Sequence, residues 1–532
     1  MSADGSATTV AAKILARQDS DEPALYFEDQ TWSWRALVTE ARQRFALWSA
    51  LRDPAAPPHI GILLDNTPDY LFWLAAGALG GMTVVGINST YRGAELQQLI
   101  THTDCQLLVI DDEHRPLLEG LELPVASERT IVVDRPDHAQ ALDTAPPADL
   151  PDVAESDLAL LIFTSGSTGA PKAVRCTQGR WAGTGDHVAR IAAIGPGDVV
   201  YPPLPLFHSS ALFTGWSSAL HAGVPVVLRR RFSASGFLPD VRKYGVTFVA
   251  YTGRVLNYIL ATPERADDAD NPLRLAVGNE AAKADIATFT RRFGCEVRDS
   301  YGSTEGLIIV RRQPGMPEGA LGKGDDGVEV LDPDTEQRTE DAKFDAHGAL
   351  LNEDSAVGEL VQLHPERRFE GYYLNAEADR LRLRNGVFWS GDLAYRDADG
   401  WIYFAGRNND WLRVDGENFA AVAVERILSS HPDVRAVAVY AVPDPAVGDQ
   451  VMAALQMHDG TSFEPAAFDA FLDDHPDLSP KWRPTLVRLV EELPILASYK
   501  PDKRLLRRQG AACEGPLWQR TSRTAPLVKV DR

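Results

Sequence analysis

Leu161-Ile162-Phe163-Thr164-Ser165-Gly166-Ser167-Thr168-Gly169-Ala170-Pro171-Lys172 is the stretch on which the reading of this chain turns. Residues 158–163 are an unbroken apolar run, the pattern of a buried strand. Six hydroxyl or glycine residues, Thr164 to Gly169, follow it, and a lysine comes three positions later. Glycines let successive backbone N–H groups turn into one concavity, a nest that binds anions, and the hydroxyls add donors. Lys172 adds a compact positive charge suited to a phosphate. Taken by itself, such a cluster reads equally as a plain turn. It is not the nucleoside-triphosphatase loop G-x-x-x-x-G-K-[ST]. Gly166 and Gly169 are three apart, Pro171 precedes the lysine and Ala173 follows it, so phosphoryl transfer of the kinase or GTPase kind is disfavoured.

The 532 residues exceed one ordinary domain, so two or more are expected. With 44% hydrophobic and 24% charged residues, the composition is that of a globular protein. A net charge of −22 disfavours nucleic acid and anionic membrane as bulk partners. It leaves nucleotides open, because a local basic site can sit inside an acidic protein. The four cysteines, Cys105, Cys176, Cys295 and Cys513, are far apart and form no C-x-x-C, which suggests neither a disulfide scaffold nor a zinc site. A reducing cytoplasm fits, and the first residues lack the pattern of a secretory signal. Two runs without Asp, Glu, Lys or Arg, 70–91 and 199–228, raise the question of a membrane span. Glycines in the first and four prolines in the second favour buried α/β elements. No integral membrane segment is expected; peripheral membrane contact and a homodimer are left open.

Outward from the loop, strand-like and helix-like segments alternate. Residues 24–27 and 31–34 read as a hairpin and 34–51 as a helix. Strands are expected at 60–64, 83–87 and 107–110, with helices at 70–79 and 95–103 between them. Asp65-Asn66-Thr67-Pro68 is a helix-start signal. This alternation implies a parallel sheet with helices on its faces. Residues 134–157 read as a surface connection. Beyond the loop, strands are expected at 199–204, 224–228, 248–251 and 273–277, and helices at 211–220, 237–243, 254–261 and 286–293. From 321 to 362 the texture changes to short strands with Gly and Asp turns. After a polar break at 406–410, a helix at 421–428, a strand at 434–442, a helical piece at 468–472 and a possible strand at 486–490 suggest a compact α+β domain. Residues after Gly510 read as a poorly ordered tail.

The loop resembles the signature of the adenylate-forming superfamily of acyl- and aryl-CoA synthetases, adenylation domains and luciferases, and further motifs follow in that family's order. Tyr301-Gly302-Ser303-Thr304-Glu305 is similar to its Tyr-Gly-x-Thr-Glu. There the ring stacks on adenine, the threonine contacts phosphate and the glutamate helps hold Mg²⁺. A carboxylate is the hard oxygen ligand such a metal needs. Gly278-Asn279-Glu280 falls at the adenine-edge strand end, and Ser300 precedes the tyrosine. Trp389-Ser390-Gly391-Asp392 resembles the (T/S)-G-D whose aspartate holds the ribose hydroxyls. His208 matches an aromatic or histidine position between nucleotide and acyl group, while a histidine beside Phe207 reads equally as packed core. Gly406-Arg407 resembles a Gly-Arg that contacts the nucleotide and opens a hinge, and Asn409 departs from the Asp or Lys common there. Gly416-Glu417-Asn418 resembles a loop that helps form the CoA tunnel. Lys500, after Leu493-Pro494, matches a mobile lysine at the acyl carboxylate and α-phosphate; Tyr499 replaces the usual glycine, and Lys503 is a rival.

The resemblance implies an α/β fold: a large N-terminal domain of layered α/β subdomains with a distorted β region, residues 1–406, and a small mobile α+β domain, residues 407–532, hinged near 407–410. It implies a ligase using ATP, Mg²⁺ and CoA. Thr164, Lys172, His208, Glu305 and Lys500 are its catalytic set, with Glu305 and Thr164 at the metal. Ser165, Gly166, Ser167, Thr168 and Gly169 join Gly278–Glu280, Ser300–Thr304, Asp392, Arg407 and Gly416 at the nucleotide and CoA. Residues 251–260 and 409–419 look closest to the long- and very-long-chain fatty acyl-CoA synthetase branch, whose acids are medium- or long-chain fatty acids or steroid side-chain acids. An acyl-AMP ligase loading a carrier protein, a luciferase-like oxygenase and a silent nucleotide or lipid binder are the alternatives.

Overall fold

In the computed structural model, residues 8–164, 172–281, 283–345, 350–367, 369–407, 411–414, 417–444, 448–475, 478, 482–495, 501–522 and 525–530 are described. They pack as two compact units, Met1–Leu307 with Glu366–Leu381, and Ile308–Pro365 with Arg382–Arg532. The expected hinge residues 408–410 lie outside the described residues.

The first unit holds two largely parallel sheets. One runs in the order Thr130–Val132, Leu107–Ile110, His59–Leu63, Thr83–Gly86, Leu158–Thr164, Lys172–Thr177. All pairings in it are parallel except the last, a hairpin that flanks the signature loop. The other runs Glu296–Gly302, Leu275–Asn279, Phe248–Thr252, Val200–Tyr201, Val226–Leu228, Pro23–Phe27, and the antiparallel Gln30–Ser33 closes it. Asn66 ties the sheets together, donating from Nδ2 to the Leu204 carbonyl (2.9 Å) and accepting from the Leu206 N–H (2.7 Å).

The alternation arises where the sequence places its signals. Thr67 caps the helix Pro68–Gly80 by accepting the Tyr70 N–H, with a proline in the first turn. Residues 70–79 of that helix are all buried, as a helix apolar on every side requires. The 199–228 run is likewise short buried elements. Among the described residues no helix is long and apolar enough to cross a membrane.

Three expectations are corrected. The 134–157 connection contains a helix, Pro136–Thr144, whose His138 is buried against Trp73. The expected helix at 211–220 is a π-helix, Ser210–Ser217, continued by Ser218–Ala222. Wide turns of this kind recur at functional sites.

The third correction falls in the second unit, on the tail. There, Val328–Leu331, Gly358–Gln362, Val387–Arg396, Ile402–Arg407, Ala320–Gly324 and Ile309–Arg311 form an antiparallel sheet. The C-terminal sheet centres on Gly448–Met457, paired with Val434–Asp444 and with Leu486–Leu489. The helices Ala421–Leu428 and Pro465–Asp473 contribute Val424, Leu428, Phe468 and Leu472 to its core. Leu517–Gln519 adds a strand to Leu486–Leu489, and Leu517 and Leu527 are buried. Arg520, within the expected poorly ordered tail, is buried and donates to Asp469 (2.7 Å) and to the Pro484 carbonyl (2.8 Å). A paired, hydrogen-bonded arginine can be buried at tolerable cost, so the described residues of the tail form an edge of the domain.

Candidate active site

The hairpin Leu158–Thr164/Lys172–Thr177 is the base of the site. Thr164 and Lys172 face each other in its register, so the two ends of the signature loop are fixed as a pair. Ser165, Gly166, Ser167, Thr168 and Gly169 lie outside the described residues. Lys172 is buried, with Nζ 5.5 Å from the centroid of the Tyr372 ring. The Tyr372 hydroxyl donates to Glu305 Oε1 at 2.8 Å. One aromatic side chain thus touches both the loop lysine and the motif glutamate.

Tyr372 belongs to a segment that sequence reading passed over. The Arg175 N–H donates to the Gly371 carbonyl (3.1 Å) and the Tyr373 N–H to the Ala173 carbonyl (2.8 Å), which extends the hairpin by a short extra pairing. Tyr373 donates to Asp104 (2.8 Å); burial first, and then that carboxylate, push its phenol up to about 12, so it stays protonated. The available signal was the aromatic pair Tyr372-Tyr373 directly after Gly371.

Tyr301, Gly302, Ser303, Thr304 and Glu305 lie at and just beyond the end of the strand Glu296–Gly302. Gly306 closes the turn by donating to the Ser303 carbonyl (2.9 Å). The Arg180 guanidinium donates to the Thr304 carbonyl (2.5 Å), and the Thr304 and Ser209 hydroxyls share a hydrogen bond (3.3 Å). Arg180 and Ser209 were not expected in this role. His208 immediately precedes Ser209, its ring centroid 4.6 Å from that of Phe207. The structure therefore brings the histidine position beside the Thr304 turn and the first turn of the π-helix.

Gly278, Asn279 and Glu280 form the end of the adjoining strand Leu275–Asn279 and the turn after it. A Cβ at Gly278 would collide with the Tyr251 carbonyl, so the close approach of two strands requires glycine there. Ser300 Oγ donates to the Gly278 carbonyl (3.4 Å). The neighbouring Asp299, buried, accepts from the Tyr251 hydroxyl (2.8 Å) and from the Ala281 N–H (3.0 Å). These bonds brace the strand end and the tyrosine motif against each other.

In the second unit, Asp392 is buried and pairs in register with Arg407 across adjacent strands. Its N–H donates to Ser390 Oγ (3.0 Å), whose hydroxyl donates to the Leu360 carbonyl (2.6 Å). Gly391 has φ +76°, a left-handed turn that favours glycine, and its N–H donates to Glu359 (2.5 Å). Gly416 and Lys500 lie outside the described residues. Lys503, the rival to Lys500, makes an ion pair with Glu425 at 2.9 Å.

The side-chain oxygens of the motif, the Glu305 carboxylate and the Thr304 hydroxyl, are hard donors. Among the described residues no group of three His, Cys, Asp or Glu is placed to hold a metal ion. A single carboxylate with hydroxyls fits a Mg²⁺ that arrives on phosphates and keeps much of its coordination from them. Cys176, on the hairpin strand, is buried and its thiol is pushed up to about 12, which makes it inert rather than nucleophilic.

Comparison with known proteins defines the class. Residues 13–373 match the AMP-binding enzyme family and residues 423–500 its C-terminal domain. The steroid-22-oyl-CoA synthetase of Rhodococcus jostii is 46% identical, covering 98% of this chain and 94% of that protein. The medium/long-chain-fatty-acid–CoA ligase FadD17 of Mycobacterium tuberculosis is 44% identical, covering 96% and 98%. The o-succinylbenzoate coenzyme A synthetase of Bacillus subtilis, in complex with ATP and a magnesium ion, superposes with a TM-score of 0.76 at 25% identity, covering 93% and 98%. The chain belongs to the AMP-binding enzymes.

Proposed function

We propose that this protein is an ATP-dependent acid–CoA ligase acting on a medium- or long-chain fatty acid or a steroid side-chain acid. The observation that carries the reading is the Lys172–Tyr372–Glu305 grouping beside the ends of the signature loop. A cation and a carboxylate are set there on one rigid ring, as binding a metal-bound triphosphate requires. The names of the two most similar relatives reported above support the choice of acid.

The reaction has two steps. An oxygen of the acid's carboxylate attacks the ATP α-phosphorus; the bond to the leaving pyrophosphate breaks, and acyl-AMP forms. The CoA thiolate then attacks the acyl carbonyl, and AMP leaves. Negative charge gathers on the phosphorus centre and the pyrophosphate in the first transition state. The loop N–H groups, Lys172 and Lys500 stabilise it there, where preorganised donors act most strongly. Glu305 and Thr164 would hold Mg²⁺, which would neutralise charge on the phosphates. Asp392 and Arg407 hold the ribose, and Gly278–Glu280 with Ser300–Thr304 hold the adenine and α-phosphate. His208 stands between nucleotide and acyl group.

Thioester formation needs Lys500 withdrawn and the Gly416 loop brought to the CoA path. Residues 407–532 are therefore assigned as a mobile domain on a 407–410 hinge. The four free, buried cysteines suit a reducing cytoplasm.

The test is incubation with acid, ATP, Mg²⁺ and CoA, following pyrophosphate, AMP and free thiol across a series of chain lengths. Each methylene buried in an apolar tunnel contributes about 0.8 kcal/mol, so kcat/KM should climb with chain length before it falls. Preference for acetate, benzoate or an amino acid overturns the substrate assignment. Pyrophosphate without thiol consumption indicates a carrier-protein acceptor, and no pyrophosphate indicates a silent binder.

A further inference from the structure

We infer that Tyr372 is a positioning residue for the metal: its hydroxyl holds the Glu305 carboxylate in the orientation that receives Mg²⁺ with ATP. The inference rests on the ligase reading above.

Glu305 lies within the turn that Gly306 closes, on a long side chain with rotamers to lose when it binds. The Tyr372 phenol reaches it from 67 residues away in sequence, at 2.8 Å. The bond is charge-assisted, and so stronger and more directional than a neutral one. An ionised carboxylate has about four lone-pair sites. One bond to Oε1 leaves the second oxygen and further lone pairs for a cation. The phenol therefore orients the ligand without consuming it.

Tyr372 is itself held from several sides. Its N–H donates to Asp379 Oδ1 (2.8 Å). Its neighbours are pinned to Ala173 and Arg175 on one side. On the other side, Tyr373 donates to Asp104, and the Tyr373 carbonyl meets His102 Nε2 at 3.0 Å. The ring is buried against Val174, Ala378 and Phe369. A tyrosine needed only as core filler would be equally well served by phenylalanine. The hydroxyl is the part whose bond to Glu305 reaches the motif.

The test uses Tyr372→Phe, which keeps the ring and its contact with Lys172 and removes only the hydroxyl. ATP binding is measured by calorimetry without acid, so no turnover occurs, across a Mg²⁺ titration. The Mg²⁺ concentration giving half-maximal enhancement of ATP binding should rise about tenfold, the scale of one lost hydrogen bond. ATP binding without Mg²⁺ should stay unchanged. In turnover assays the defect should be recovered at high Mg²⁺, with the KM for the acid unaltered. Glu305→Gln is run alongside and should lose most of the Mg²⁺ enhancement, and adding Tyr372→Phe to it should change nothing further. If Tyr372→Phe titrates like wild type while Glu305→Gln has lost the enhancement, the positioning role is refuted and the ligase reading stands. A uniform loss of ATP binding at every Mg²⁺ concentration refutes it equally. If Glu305→Gln itself titrates like wild type, the metal assignment in the ligase reading fails instead.

Discussion

Two acidic residues, Glu305 in the first unit and Asp392 in the second, lie in turns that are braced in different ways. The Asp392 turn is braced within one sheet. Its support comes from Ser390, Leu360 and Glu359, on the same or adjacent strands of one sheet. Glu305 and its neighbour Thr304 are braced from afar, by Tyr372, Arg180 and Ser209, which come from three separate parts of the chain. A brace within one sheet forms when Gly358–Gln362 pairs with Val387–Arg396. A long-range brace exists only when the whole unit is folded, and it ties the Glu305 turn to the hairpin and to the π-helix at once. The Glu305 motif thus depends on packing between distant segments, whereas the Asp392 turn depends on one strand pairing and a glycine.

The largest expected effects test whether the long-range set and the C-terminal lysine serve the same step. Acid-dependent exchange of pyrophosphate into ATP, without CoA, should fall on the order of 10²–10³-fold in Glu305→Gln and roughly 10²-fold in Lys500→Ala. Supplied with pre-made acyl-AMP and CoA, Lys500→Ala should form the thioester at a near wild-type rate. Lys503→Ala should change neither half-reaction much, because its partner is Glu425. A block in Lys503→Ala with none in Lys500→Ala would shift the motif register by three residues. A parallel fall of both half-reactions in Lys500→Ala would remove the two-state role of the C-terminal domain.

The contrast between the two braces also explains what the sequence could convey. Trp34–Leu51, Leu107–Ile110 and Ala421–Leu428 form where periodicity places them, because each is decided by its own residues. The Thr164–Lys172, Tyr301–Glu305 and Ser390–Asp392 motifs are continuous words and were legible for the same reason. Tyr372 was not, since its meaning lies in partners far along the chain. The residues after Gly510 were misread as a poorly ordered tail because their composition suggests solvent, and only the fold supplies Asp469 as a partner for Arg520. The strand Gly448–Met457 was missed because pairing with Val434–Asp444 defines it more than its own pattern does.

A smaller effect comes from a second long-range brace in the first unit. His114 is buried, with Nδ1 2.6 Å from Asp111 and Nε2 3.6 Å from Asp65; Arg230 lies 3.5 Å from Asp111 and Arg231 3.0 Å from Asp65. Burial alone would lower its pKa, but hydrogen bonds and charge from Asp111 and Asp65 outweigh that and raise it to about 9. A folded-state pKa above the unfolded value of about 6.5 stabilises fully below that pH. The contribution is lost as pH rises through about 9. The melting temperature should therefore drop by about 2–4 °C over this window, and the drop should be absent in His114→Gln. A wild-type melting temperature that stays flat or rises over the window would show that the two carboxylates do not hold the proton.

The most direct measurement of the central claim follows an oxygen atom. With the acid labelled by ¹⁸O in its carboxylate, and with ATP, Mg²⁺ and CoA present, attack on the α-phosphorus leaves one carboxylate oxygen bonded to phosphorus when CoA displaces AMP. The account predicts one ¹⁸O in each AMP, unlabelled pyrophosphate and no ADP, all by mass spectrometry. Unlabelled AMP, or label appearing in inorganic phosphate alongside ADP, would contradict it.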